Sequence, residues 1–150
     1  IRGCHPTTLA ASAAICRKVA ESKMTGGNTI DVWGDGEQTR SFCYIDDCVE
    51  GLFRLMESGF KAPLNLGQDR LITINQLVDI VSEIAGVTLT KTHIPGPQGV
   101  RGRNSDNTLL REVLRWEPEV SLEDGLASTY EWIEEQVRAK HGESVSAVGV

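Results

Sequence analysis

An α/β fold is predicted by this sequence on three observations. Short β-branched segments such as Thr29–Trp33 and Leu89–Ile94 alternate with longer stretches of helical period. Glycines and capping residues stand where one kind of segment gives way to the other. Hydrophobic residues make up 40% and charged residues 24% of 150, the composition of one globular domain.

The elements follow in order. Leu9 to Glu21 is rich in alanine and reads as a helix, broken by Thr25-Gly26-Gly27-Asn28. Thr29 to Trp33 is a strand and Gly34-Asp35-Gly36 a turn. Arg40 to Ile45 alternates as a half-buried strand does. Asp46 then suits an N-cap, and Cys48, Val49, Leu52, Phe53, Leu55 and Met56 form one apolar helical stripe that Gly59 ends. Pro63-Leu64-Asn65-Leu66 reads as a short buried strand. Thr73 with Gln76 is a capping box, Ile74, Leu77, Val78, Val81 and Ile84 give the following apolar face, and Gly86 is the stop. Leu89 to Ile94 is a strand, and a glycine-rich loop runs from Pro95 to Ser105, long enough to suggest a functional role. A short helix spans Thr108 to Leu114. Ser121 caps the last helix, whose inner side is Leu122, Leu126, Tyr130, Ile133 and Val137. The tail after Gly142 is small and polar. Helices outnumber what such short strands can cover, so the set would make a thin sheet unless it joined a larger one.

Several function classes are disfavoured. Fifteen basic and 21 acidic residues give a net charge of −6, with no basic stripe for nucleic acid. No apolar run approaches the roughly 18 residues of a membrane span. The cysteines at 4, 16, 43 and 48 form no Cys-x-x-Cys and read as reduced, mostly buried thiols of a cytoplasmic protein. His5, His93 and His141 have no metal-ligand spacing. The start, Ile1-Arg2-Gly3-Cys4-His5, has neither an initiator Met nor a signal-peptide core, which leads to the expectation of a piece cut from a longer chain.

A nicotinamide-binding unit opens with strand, glycine turn and helix. Gly34-Asp35-Gly36 lies between two strands, and Gly96, Gly99 and Gly102 lie in a proline-containing loop. No Tyr is followed four residues later by Lys: Tyr44 leads to Cys48 and Tyr130 to Glu134. The expectation is that this chain does not itself bind NAD.

Two segments carry the functional signal. In Trp33-Gly34-Asp35-Gly36-Glu37-Gln38-Thr39-Arg40-Ser41-Phe42-Cys43-Tyr44-Ile45-Asp46-Asp47, the Gly-x-Gly turn lets backbone pass close to a ligand, Gln38 and Thr39 offer hydrogen bonds, and Arg40 offers a donor fork to phosphate. This stretch resembles the substrate-domain signature of extended short-chain dehydrogenase/reductases that act on nucleotide sugars. The run His93-Ile94-Pro95-Gly96-Pro97-Gln98-Gly99-Val100-Arg101-Gly102-Arg103-Asn104-Ser105-Asp106-Asn107 resembles the GDP-mannose 3,5-epimerase group in particular. The resemblance runs from about Ala14 to Lys140 and includes Leu114-Arg115-Trp116-Glu117-Pro118.

That resemblance implies the C-terminal, substrate-binding part of a Rossmann-type fold, its N-terminal cofactor half missing. It implies an NAD-dependent isomerase that converts GDP-D-mannose to GDP-L-galactose through a transient 4-keto intermediate, on the plant route to ascorbate. The implied partners are a GDP-sugar and, for the whole enzyme, a second copy in a homodimer; NAD would be held by the missing half. By position, Lys18, Gln38, Thr39, Arg40 and Arg103 match residues that contact the GDP-sugar; Arg101 and Asn104 receive no role. The family's catalytic cysteine lies upstream, and its catalytic lysine position falls on Ala10, so no catalytic residue is expected here. The expected division is a divergent segment 1–13, a substrate-binding part 14–141 and a flexible tail 142–150.

Overall fold

The computed structural model describes residues 11–96 and 100–147, with side chains through residue 142. Five helices and five short strands alternate along these residues: α1 (Ala11–Thr25), β1 (Thr29–Trp33), β2 (Thr39–Arg40), α2 (Ile45–Ser58), β3 (Ile72–Thr73), α3 (Ile74–Ala85), β4 (Thr90–Ile94), β5 (Gly102–Arg103), α4 (Thr108–Leu114) and α5 (Leu122–Ala147). The fold is α/β.

The core is a three-helix stack against a two-stranded sheet. Cys16, Val19 and Ala20 of α1 meet Leu77, Val78 and Val81 of α3 and Leu126, Tyr130, Ile133 and Val137 of α5, with Ile30 and Val32 of β1 closing the layer. Each helix presents apolar residues at three- and four-residue spacing, so one stripe of each is dry. Tyr130 keeps its hydroxyl satisfied by donating to Glu134, which also holds Lys23 of α1. Burial pushes the Cys16 thiol up to about 11, so it packs as a small apolar group.

Helix boundaries follow local chemistry. Thr73 accepts from the Gln76 N–H while Gln76 accepts from the Thr73 N–H, which completes the capping box of α3. Gly59 and Gly86 end α2 and α3 in the left-handed region, at φ 68° each. Ser121 accepts from the Asp124 N–H at the start of α5. That helix continues through Gly142 to Ala147, so residues 142–147 are helical where the sequence reading began a tail.

Sheet order is what brings distant segments together. β1 and β4 pair in parallel, Thr29 opposite Thr90 and Trp33 opposite Ile94. In a second sheet β2 lies between β3, antiparallel, and β5, parallel.

Three expectations are corrected. The strand expected over Arg40–Ile45 shrinks to Thr39–Arg40, because its two neighbours are only two residues long and Ile45 already begins α2. Asp46 is not the N-cap; Tyr44 holds that place without a side-chain bond, and the neighbouring Asp47 is buried and accepts the Val120 N–H at 2.9 Å. Pro63–Leu66 forms no strand, pairs with none among the described residues, and holds no buried residue. The apolar stripe of α2 lies largely uncovered. Ile45, Val49, Leu52, Phe53 and Met56 are between 43 and 78% exposed, and only Asp47 and Gly51 of that helix are buried.

Candidate functional site

The second sheet builds the site. β2 and β5 run parallel with Arg40 opposite Arg103, two arginines far apart in sequence placed on adjacent strands in register. The pairing extends one step beyond the ladder, where the Thr39 N–H donates to the Arg101 carbonyl at 2.9 Å. Arg40 and Arg103 open onto one cleft of about 260 Å³, whose other walls are Ser41, Cys43, Leu66, Gly67, Gln68, Asn104 and Ser105.

Charge in this region is unevenly committed. Arg101 pairs with Asp35, Arg70 grips Glu123 with two nitrogens, and Arg111 bridges Asp69 and Glu117. Arg40 donates one nitrogen to the Thr39 carbonyl. The Arg103 side chain is exposed and forms no ion pair among the described residues, so its whole fork is available. An anion entering the cleft meets two guanidiniums, an arrangement that suits a phosphate or diphosphate, while the Ser105 N–H and hydroxyl are already given to Asn104 and Asn107.

Of the positions matched to substrate contacts, Arg40 and Arg103 share the cleft. Lys18, Gln38 and Thr39 do not line it. Lys18 Nζ donates to the Asp31 carbonyl at 2.7 Å and lies 5.8 Å from the Trp33 ring centre. Gln38 Nε2 donates to the Trp33 carbonyl, and its Oε1 is buried without a partner among the described residues. Gly34 donates to Ile94 and Thr90 to Asn28, so the even-numbered residues of β1 face β4 and the odd ones face its open edge. Ser22, Lys18 and Gln38 thus place donors on the three outward carbonyls of Thr29, Asp31 and Trp33. Such capping protects a strand edge that would otherwise invite another strand. Thr39 packs its hydroxyl against Gly102, where a Cβ would lie only 3.0 Å away. Ala10, the expected lysine position, and Gly99 lie outside the described residues.

The glycine turn also acts differently from its sequence reading. Gly34 and Gly36 have φ of 74° and 72°, but the close approach at Gly36 is to Asn75 of the same chain, not to the cleft. Asn75 donates its backbone N–H to Gly36 and its amide to Asp35 and Glu37, which pins the turn to the start of α3. Cys43 lines the cleft, and burial, then Cys48 and Asp47, push its thiol up to about 11, which favours the protonated form. The sequence reading assigns no role to Gly67, Gln68, Ser105 or Asn107; Ser105 and Asn107 stand in the run that carries the resemblance, while nothing local marks Gly67 and Gln68.

A dinucleotide pyrophosphate needs free N–H groups at a helix start. Here the first N–H groups of α3 are taken by Gln38, Gly36 and Thr73. Acidic pairs, Asp46-Asp47 and Glu123-Asp124, occupy the first turns of α2 and α5. The starts of α2, α3 and α5 therefore do not fit the pyrophosphate of NAD. Among the described residues no three metal-ligating side chains converge, and no helix is long and apolar enough to cross a membrane.

The sequence of residues 6–67 matches the NAD dependent epimerase/dehydratase family. A GDP-mannose 3,5-epimerase of rice is 47% identical over 139 residues, 93% of this chain and 36% of that protein. The chain belongs to the NAD dependent epimerase/dehydratase family. Its relatives there differ in chemistry: a UDP-glucuronic acid decarboxylase of Arabidopsis thaliana is 40% identical over 101 residues, covering 67% of this chain and 30% of that enzyme. In three dimensions the fold superimposes on UDP-glucose 4-epimerase of Thermotoga maritima, solved with UDP-glucose, at a TM-score of 0.74 and 35% identity, over 89% of this chain and 42% of the epimerase. The chain spans about a third of the length of the curated relatives it matches. The short strands and many helices are thus those of one part of a Rossmann-type epimerase fold.

Proposed function

We propose that this chain is the C-terminal, GDP-sugar-binding part of an enzyme of the GDP-mannose 3,5-epimerase kind. The observation that supports this reading best is the in-register pair Arg40 and Arg103, opening on one cleft with the second arginine's fork uncommitted. The two guanidiniums would hold the diphosphate. Gln68 and Asn104 stand beside them, with side-chain amides that can bond to what is attached to it. The cleft, at about 260 Å³, is smaller than the usual 300–1,000 Å³ of a small-molecule pocket. It would take the diphosphate, and the rest of a nucleotide sugar would need walls from elsewhere in a longer protein.

Lys18, Gln38 and Thr39 are secondary contacts in this proposal. Lys18 and Gln38 would have to release the Asp31 and Trp33 carbonyls to reach a ligand, which offsets much of what they gain. Proton abstraction and return at the sugar carbons need acid/base groups that this cleft does not offer; they would come from the remaining part, as would the group that binds NAD. In a whole enzyme of this kind, the reaction is the conversion of GDP-D-mannose to GDP-L-galactose by an isomerase of the cytoplasm acting as a homodimer. A second reading, a nucleotide-sugar-binding paralogue without catalysis, is favoured by alanine at position 10, where the family has its lysine.

Calorimetry with GDP-mannose, UDP-glucuronate, UDP-glucose and NAD tests the proposal. GDP-mannose should bind most tightly of the sugars and NAD should give no isotherm. A preference for a UDP-sugar would move the chain to the decarboxylase or 4-epimerase branch, and micromolar NAD binding would overturn the division of labour.

A further inference from the structure

We infer that Asn107 is a positioning residue for Arg103. The inference rests on the diphosphate-binding reading and adds a residue to it. Asn107 is 2% exposed, a buried polar side chain just past the cleft. Its Nδ2 donates to the Gly67 carbonyl at 2.5 Å and its Oδ1 accepts the Ser105 hydroxyl at 2.7 Å. Its own carbonyl accepts the Arg111 N–H, which ties it to α4.

These bonds join the two walls of the cleft. Gly67 belongs to one wall and Ser105 to the other, and a Cβ on Gly67 would lie 3.0 Å from the Ser105 Cβ. The walls therefore already touch, and only glycine admits the approach. Upstream, the Thr39 N–H holds the Arg101 carbonyl. Arg103 sits between two clamps: the β2 ladder before it and the Asn107 bridge after it. With both in place its backbone cannot shift along β2 or swing from Gly67, so the guanidinium starts from a fixed base. A binding group held in place loses less freedom when its ligand arrives.

Asn107→Ala removes the bridge without touching the cleft lining. GDP-mannose affinity, measured by calorimetry, should fall about tenfold in the parent background and change little in an Arg103→Ala background, the sign of two residues acting as a unit. Hydrogen exchange gives a readout without ligand. The amides of Gly102–Ser105 should exchange faster in Asn107→Ala while those of α3 stay protected. Equal loss of affinity in both backgrounds overturns the inference, because a merely structural residue would act additively. Should Asn107→Ala not fold, Ser105→Ala cuts the other half of the bridge and should show the same coupling to Arg103, more weakly; additivity there overturns it as well. If the parent does not bind GDP-mannose, the diphosphate reading fails by itself. The positioning claim is then decided by exchange, and unchanged protection over Gly102–Ser105 ends it.

Discussion

Replacing Arg103 with alanine should weaken GDP-mannose binding far more than it weakens the fold. Arg103 contributes to the fold through its backbone, paired with β2, and that pairing survives the substitution. Its side chain is exposed and forms no ion pair among the described residues, so stability should change by no more than about 0.5 kcal/mol. Binding is different. A charge-assisted hydrogen bond contributes about 1.5–3 kcal/mol, and about 1.4 kcal/mol is tenfold in affinity, so the loss should be roughly 10–100-fold. Arg40 stays in the cleft with one nitrogen held by Thr39, so some binding should remain. Arg103→Lys should recover only part of the loss, because a point charge cannot replace the fork. The assay is calorimetric titration beside a urea melt of the same samples. Unchanged affinity with Arg103→Ala would show that the cleft is structural and would remove the main support for the diphosphate reading.

Three further outcomes follow from the packing. Phe53→Glu on the open face of α2 should leave stability within about 0.5 kcal/mol while lowering apolar-dye binding and self-association; a large loss of stability would show that this face is covered in the free chain. Gly36→Ala should cost at least about 1–2 kcal/mol for its left-handed backbone and more for overlap with Asn75, whereas Gly59→Ala, at a similar φ with open space around it, should cost only the backbone part. Equal urea midpoints for the two variants would refute that difference. The Lys23 hydrogen bond, 2.8 Å long, holds the Glu134 carboxyl below its ordinary 4.5. Its native pKa is lowered, so its contribution is present above the unfolded value and is lost as the pH falls through the native one. Lys23→Met should therefore be less stable than the parent at neutral pH, and the two should converge in acid; a constant gap would contradict this.

Much of the fold was legible because its signals are local. The Thr73–Gln76 box, the glycine stops at 59 and 86, the Ser121 cap and the helix over Thr108–Leu114 each depend on hydrogen bonds within a few residues. The inner face of α5 is a matter of period, and Leu126, Tyr130, Ile133 and Val137 are buried as the spacing predicts. Periodicity shows only that a face is apolar; it does not show what covers it, and the α2 stripe is largely exposed. A strand likewise needs a partner, and no local pattern in Pro63–Leu66 reports that none lies beside it.

The sequence by itself determined the α/β alternation, the helix ends and the family, because these rest on neighbours in the chain and on the identity of residues in two runs. Tertiary structure alone decided which of the matched residues meet. Pairing of β2 with β5 brought Arg40 opposite Arg103 and left Lys18 and Gln38 on the carbonyls of β1. It also closed Gly67 on Ser105 around Asn107. The physical reason is that a cleft is made by backbone pairing between distant segments, and hydrogen bonds of that kind are satisfied by position in space, on which a single residue's character carries no information.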